Sequence, residues 1–131
     1  MINVLLVEDD ESHARLIRRA FESSEVQADI KHVRCLQQML HEILERRPDV
    51  LILDYLLPDG RGIGTINAEL GFTGLPTVLI TSPADEHVIS EAACHGITNL
   101  VQKSIAGFEK LPDLAQAVVS LSTAKRTVLV H

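Results

Sequence analysis

Short aliphatic and β-branched runs alternate with longer segments of helical period about five times along this chain, and few folds accept that rhythm. The runs fall at residues 3–7, 29–33, 50–53, 77–80 and 98–102. Residues 11–24 carry Ala14, Ile17, Ala20 and Phe21 at helical spacing, with Arg15, Arg18 and Arg19 on the other side. Residues 36–46 form a second helical stretch that has to stop before Pro48, because the residue preceding a proline is kept out of the helical region. A short helix is expected to end near Leu70. The next is punctuated by Ser82 as a hydroxyl cap, Pro83 in the first helical position, Asp85 three residues after the cap and Gly96 past the end. A last helix is expected over 113–121, opened by Pro112. Strands and helices interleaved in this way pack as an open, doubly wound α/β domain, a parallel sheet with right-handed crossovers and helices on both faces. The run at 50–53 is apolar throughout and suits a central strand covered on both sides, whereas 29–33 is polar enough for an edge.

At 131 residues the chain fits one domain with a real core. We expect that domain to span 1–123, with 124–131 a C-terminal tail or the start of a linker. A formal net charge of -6 and a pI near 5.4 argue against holding nucleic acid by general electrostatics, which needs clustered Lys and Arg. Cys35 and Cys94 show no CxxC spacing and no secretory leader is evident, so a reducing, cytoplasmic setting is expected. No apolar run approaches the roughly 18 residues needed to span a bilayer, so no membrane partner is expected.

Four polar positions directly follow four of the runs: Glu8-Asp9-Asp10, Asp54, Thr81 and Lys103. Parallel strands of an open sheet deliver their carboxyl ends to one edge, where ligands bind. Carboxylates, a hydroxyl and one amine then meet in a single crevice. Carboxylates crowded together repel by roughly a few kcal/mol per close pair, and something cationic must offset them. Lys103 is one candidate; a hard cation such as Mg2+ or Mn2+ is the other, since oxygen ligands favour it and no Cys/His cluster has zinc spacing. A carboxylate beside such a metal is either a ligand only or a nucleophile toward phosphorus. A phosphoryl group in transfer spreads charge over three oxygens, and metal, ammonium and hydroxyl supply one partner each. A metal store needs neither Lys103 nor Thr81.

In order and spacing, Val4-Leu5-Leu6-Val7-Glu8-Asp9-Asp10, Leu51-Ile52-Leu53-Asp54-Tyr55-Leu56-Leu57-Pro58 with Gly62, Val78-Leu79-Ile80-Thr81-Ser82 and Val101-Gln102-Lys103 resemble the receiver domains of two-component response regulators. The likeness covers nearly all of residues 1–121. It implies a flavodoxin-like sheet of five parallel strands in the order 2-1-3-4-5, with five helices on both faces. It also implies that Asp54 accepts a phosphoryl group from a phosphohistidine on a sensor histidine kinase or a histidine phosphotransfer protein. That reaction would depend on Mg2+ (or Mn2+) and be catalysed by the domain itself, without small-molecule turnover. Glu8, Asp9, Asp54 and the backbone carbonyl of Leu56 would hold the metal. Lys103 would pair with the phosphoryl group, and Thr81 would swing toward it after transfer. Asp10 resembles the start of the first helix, and Ser82 leaves room beside the phosphate. The output would be a switched face that acts on a downstream effector domain or protein in a phosphorelay.

The chain departs from the family pattern in three places. Leu100 stands three residues before Lys103, where receivers commonly carry a Tyr or Phe that moves inward as the threonine engages, so output is expected through another surface or motion. Ser104 follows Lys103 where a proline after a cis peptide is usual. A cis bond before a non-proline residue costs about 2.5–4 kcal/mol, so a trans bond with a rearranged loop is expected, and residues 104–111 are expected to form a longer loop than usual. Leu56 and Pro83, two residues beyond Asp54 and Thr81, cannot orient a water through a polar side chain, so slow loss of the phosphoryl group is expected.

Other features read more plainly. Gly60-Arg61-Gly62-Ile63-Gly64 has Thr65 where a dinucleotide loop needs its third glycine, and it does not follow the first strand. His87, Cys94 and His95 read as solvent-facing helix residues. Leu114, Ala115, Val118, Val119 and Leu121 make a face wide enough to serve a homodimer or a following domain. Two alternatives to a phosphorylated receiver stand: an inert receiver that binds partners constitutively, and a Mg2+-dependent phosphatase using Asp54, although Leu56 replaces the second aspartate of a D-x-D pair.

Overall fold

The computed structural model describes residues 1–64, 74–82, 86–97 and 99–130, with backbone alone from 123 onward. Strands β1 (Ile2–Val7), β2 (Ala28–Val33), β3 (Val50–Asp54), β4 (Thr77–Thr81) and β5 (Asn99–Gln102) pair in parallel in the order β2-β1-β3-β4-β5. Four helices are described: α1 (Glu11–Glu22), α2 (Leu36–Glu45), α3 (Glu86–Cys94) and α4 (Ile105–Val130). Residues 62–64 are helical as well. The expected helix end near Leu70, the cap partners Pro83 and Asp85, and the strand start at Thr98 lie outside the described residues.

Period-two alternation divides the core between the two faces of the sheet. Val4 and Leu6 of β1, Val50 and Ile52 of β3, and Val78 and Ile80 of β4 pack with Ala14, Ile17 and Phe21 of α1 and Phe108, Leu111, Ala115 and Val118 of α4. Leu5 and Val7, Leu51 and Leu53, and Leu79 turn the other way, onto α2 and onto Val88 and Ala92 of α3. β3 is buried along its whole length, as its apolar run predicts, while β2 alternates between half-buried and exposed positions at one edge. No helix among the described residues is long and apolar enough to cross a membrane.

Helix ends fix the loops that carry polar groups to the sheet edge. Asp10, extended, caps α1 by accepting from the Ser12 and His13 amides at 2.9 and 3.2 Å. α2 has no such residue of its own: Cys35 stands at its cap position without capping the helix amides through its side chain, and Asp59 supplies the carboxylate from the turn after β3, accepting from the Leu36 and Gln37 amides at 2.8 and 3.2 Å. The Leu36 hydrogen bond is the main reason the Asp59 carboxyl titrates below its ordinary range. That turn closes through reciprocal amide-carbonyl bonds between Leu57 and Gly60, whose φ of +132° suits glycine. α3 ends as its sequence predicts. Gly96 turns left-handed at φ +78°, and the Ile97 and Gly96 amides reach back to the Ala92 and Ala93 carbonyls at 2.9 and 3.0 Å.

The last helix corrects the expectation of a long loop over 104–111 and a start near Asp113: α4 begins at Ile105 and holds Pro112 inside it. Ser104 opens it, its hydroxyl accepting from the Gly107 amide at 3.0 Å and its carbonyl from the Phe108 amide at 2.8 Å. Phe108, Leu111, Ala115 and Val118 then bury one continuous stripe, which outweighs the single hydrogen bond that Pro112 cannot donate. The early start is possible because residue 107 is glycine: a Cβ there would lie 1.9 Å from the Gln102 carbonyl oxygen. Gly107→Ala is therefore expected to destabilise the domain by about 1–3 kcal/mol or more in urea unfolding. Gly64→Ala, whose Cβ meets nothing within 4 Å, should leave stability unchanged or raise it by up to about 1 kcal/mol. A Gly107→Ala chain as stable as the parent would contradict the packing of α4 on β5.

Candidate functional site

The carboxyl ends of β1, β3, β4 and β5 bring Glu8, Asp9, Asp54, Thr81 and Lys103 to one edge, as the order of the runs predicts. Glu8 and Asp54 follow the alternation of Leu6 and Ile52, and both are buried, at 0 % and 4 % exposed. Lys103 reaches between them. Its Nζ donates to Asp54 Oδ2 at 2.8 Å and to Glu8 Oε1 at 3.2 Å. The Lys103 amide also donates to the Thr81 carbonyl at 2.9 Å, which ties the end of β5 to the end of β4. Thr81 is itself buried. Leu56 stands at the mouth, its side chain exposed and its amide 3.4 Å from Asp54 Oδ1.

Three carboxylates face this one ammonium. Glu8, Asp9 and Asp54 each offer an oxygen, and these atoms all lie within 4.8 Å of one another. Burial pushes the Glu8 carboxyl from 4.5 up to about 7; the hydrogen bond from the Asp10 amide opposes this, and the charge of Asp54 adds to it. Burial also works against the Lys103 charge, but its hydrogen bonds to Asp54 and Glu8 prevail and hold its pKa above the ordinary value. Glu8 Oε2, fully buried, accepts no hydrogen bond among the described residues, although Lys103 Nζ lies 3.1 Å away. Asp9 is exposed and adds its carboxylate oxygen at the open side of the cluster. Clustered hard oxygens with unsatisfied acceptor capacity fit a divalent cation.

Two supports of this cluster are not evident from the sequence. His32 Nε2 donates to the Glu8 main-chain carbonyl at 2.7 Å. That carbonyl belongs to the peptide joining Glu8 to Asp9, so the bond sets the backbone from which Asp9 projects. The β1–β2 register puts the ring within reach: Leu6, two residues short of Glu8, pairs with His32. On the opposite side, the His13 ring packs on Phe108 at 5.7 Å, with Nδ1 4.0 Å from Glu8 Oε1. Asp10 serves as the α1 cap rather than joining the oxygen cluster, as its position suggests.

Two measurements follow. Because the folded pKa of Glu8 exceeds the ordinary value, its contribution favours the metal-free fold below about pH 4.5 and is lost as pH rises toward 7. A cation needs the ionised form, so Mn2+ affinity should climb by up to about tenfold per pH unit below pH 7 and then flatten. Calorimetry in buffers of different ionisation enthalpy should detect proton release near pH 6, and Glu8→Gln should abolish it; equal release in that variant would assign the proton elsewhere. Separately, His32→Leu should weaken Mn2+ binding by about 10-fold or more, in the range lost when an outer partner of a metal ligand is removed. His32→Gln, which keeps a donor, should retain much of it, with Tm little changed in both.

Comparison with known proteins agrees with this architecture. The family model described as the response regulator receiver domain matches residues 4–116. The methanogenesis regulatory protein FilR1 of Methanothrix harundinacea is 36 % identical over 121 residues, which cover 87 % of this chain and 26 % of that protein. The KDP operon transcriptional regulatory protein KdpE of Escherichia coli is 35 % identical over 86 residues, covering 66 % of this chain and 37 % of its own length. The chain thus spans well under half of these curated relatives. Among solved structures, the signal receiver domain of a LuxO repressor protein from Vibrio parahaemolyticus superposes with a TM-score of 0.81 at 23 % identity, covering 97 % of this chain and 96 % of that one. The Mn(2+)-bound form of the response regulator Rcp1 superposes with a TM-score of 0.70 at 20 % identity, over 94 % and 93 % of the two chains. With its five parallel strands in the order 2-1-3-4-5 and its acidic edge, the chain belongs to the response regulator receiver domain family.

Proposed function

We propose that this receiver is a phosphorylation switch in two-component signal transduction, with Asp54 as the acceptor of a phosphoryl group from a phosphohistidine on a sensor histidine kinase or phosphotransfer protein. The observation that carries the reading is the Lys103 ammonium set 2.8 Å from a nearly buried Asp54 and beside Glu8. A metal store has no need of that cation. In transfer, an Asp54 carboxylate oxygen forms the new P–O bond as the donor P–N bond breaks, and the imidazole leaves with the electron pair. Glu8, Asp9, Asp54 and the Leu56 carbonyl would hold Mg2+ or Mn2+, which when bound neutralises charge on the phosphoryl oxygens. Lys103 exchanges part of its contact with Asp54 for a phosphoryl oxygen, and Thr81, one residue beyond the Ile80 that pairs with Asp54, offers its hydroxyl to another. The product carries nearly two negative charges on the phosphoryl group in place of the one on the Asp54 carboxylate, a net gain of about one, and this change is the signal passed to an effector domain or protein. We assign residues 1–123 to the receiver and 124–131 to a tail or linker, and place the protein in the cytoplasm.

Intact-mass analysis with Mg2+ and acetyl phosphate tests the reading. One added phosphoryl group is expected, lost in Asp54→Asn and in the absence of Mg2+. No adduct on a folded, metal-binding chain from either acetyl phosphate or a phosphorylated donor protein would favour a constitutive interaction module, and sustained turnover of a phosphomonoester would favour a phosphatase. Because Leu56 is aliphatic and exposed at the mouth, the adduct should persist well beyond seconds, and Leu56→Asn should shorten its life by giving water a polar partner.

A further inference from the structure

Glu91 of α3 gathers three polar groups on one carboxylate oxygen. The Tyr55 hydroxyl donates to Oε2 at 2.7 Å, Arg61 Nη1 donates at 3.2 Å, and His87 Nε2 lies 3.8 Å away. Arg61 Nη1 also donates to the Tyr55 hydroxyl oxygen at 3.3 Å. Tyr55 itself is buried, and Glu91 is only 20 % exposed. This tether matters to α3 because the helix buries little else: its own buried side chains are Val88 and Ala92, and Ile89 is 48 % exposed.

Tyr55 is covalently joined to Asp54, yet the two serve opposite faces of the sheet. Asp54 follows the alternation of Val50 and Ile52 toward the α1 and α4 side and meets Lys103, while Tyr55 packs with the α2 and α3 core. The Tyr55 amide donates to the Ile80 carbonyl at 2.9 Å, so the peptide between the two residues is seated on β4. With that amide held, a change at Asp54 turns Tyr55 about an anchored nitrogen rather than being absorbed by a loose loop. Leu100 of β5 packs against the same core with no polar atom to offer α3.

We propose that the Tyr55–Glu91 bond couples the Asp54 site to α3. Loading of Asp54 turns the Tyr55 side chain about its anchored amide and draws the hydroxyl off its 2.7 Å contact; α3 is then released from the strand end and its Ile89 face changes position. At that length, displacement in either direction weakens the bond. Arg61 keeps Glu91 near by, so the helix is loosened rather than lost. The inference rests on the phosphorylation reading above and adds the route by which that site reaches one particular helix.

Hydrogen exchange by mass spectrometry, with and without Mg2+ and beryllofluoride as a stand-in for the phosphoryl group, tests it, while fluorine NMR monitors occupancy of the site. In the parent chain, loading should speed exchange in α3 by about tenfold, the effect of losing one charge-assisted hydrogen bond, and leave α1 unchanged. In Tyr55→Phe, which keeps the buried ring, α3 should exchange at the faster rate already when unloaded and respond no further, although the fluorine signal shows the site filled. Glu91→Gln, remote from the site, should move in the same direction. The proposal fails if the filled parent shows no change in α3, or if α3 responds in Tyr55→Phe as in the parent. Absence of any bound fluorine signal in the parent would instead remove the phosphorylation reading, and this coupling with it.

Discussion

The Lys103 ammonium, shared between Asp54 and Glu8, is the interaction on which the edge of the sheet depends. Two nearly buried carboxylates held together without a cation would each bear a desolvation cost of about several kcal/mol. Lys103 offsets part of that, and a proton held on Glu8 up to about pH 7 offsets more. The position of the ammonium is in turn set by backbone. Its own amide is anchored on Thr81, the Ser104 hydroxyl turns the chain at once into α4, and Gly107 lets that helix lie directly on the Gln102 carbonyl. A glycine four residues from the lysine thus helps set the electrostatics at Asp54.

What was legible in the sequence is what short-range periodicity and strand-end logic encode. The runs at 50–53 and 77–80 locate β3 and β4 to within a residue, and the polar residue after each run reaches the shared edge. Gly96 marks the end of α3 because only a left-handed residue closes that cap without strain. Pro112 misleads because proline opens helices more often than it sits inside them. Here the stripe of Phe108, Leu111 and Ala115 carries the helix through it. The contacts from His32 to Glu8, from Asp59 to Leu36 and from Tyr55 to Glu91 join residues 24, 23 and 36 apart. No local pattern marks them; they exist only once strand order and register are set.

The two faces of the sheet carry different kinds of order. On one, α1 and α4 share a continuous apolar core with the side from which Glu8 and Asp54 emerge. On the other, α2 and α3 also share an apolar core with the sheet, and polar attachments from the segment after β3 are added to it: Asp59 for α2, Tyr55 and Arg61 for α3. Residues 55–61 therefore hold both helices of that face while beginning at the residue next to Asp54.

The remote cap on α2 bears on how the protein is made. Residues 36–45 leave the ribosome before Asp59, a gap of about a second or more at ordinary synthesis rates. Until then the first amides of α2 have only water as partner, and a ten-residue helix does not persist alone. The half of the sheet built from β1 and β2 is thus no independent early unit. It closes when β3 and its turn arrive, so the segment beginning beside the phosphoacceptor candidate is also the clasp that completes the nascent domain.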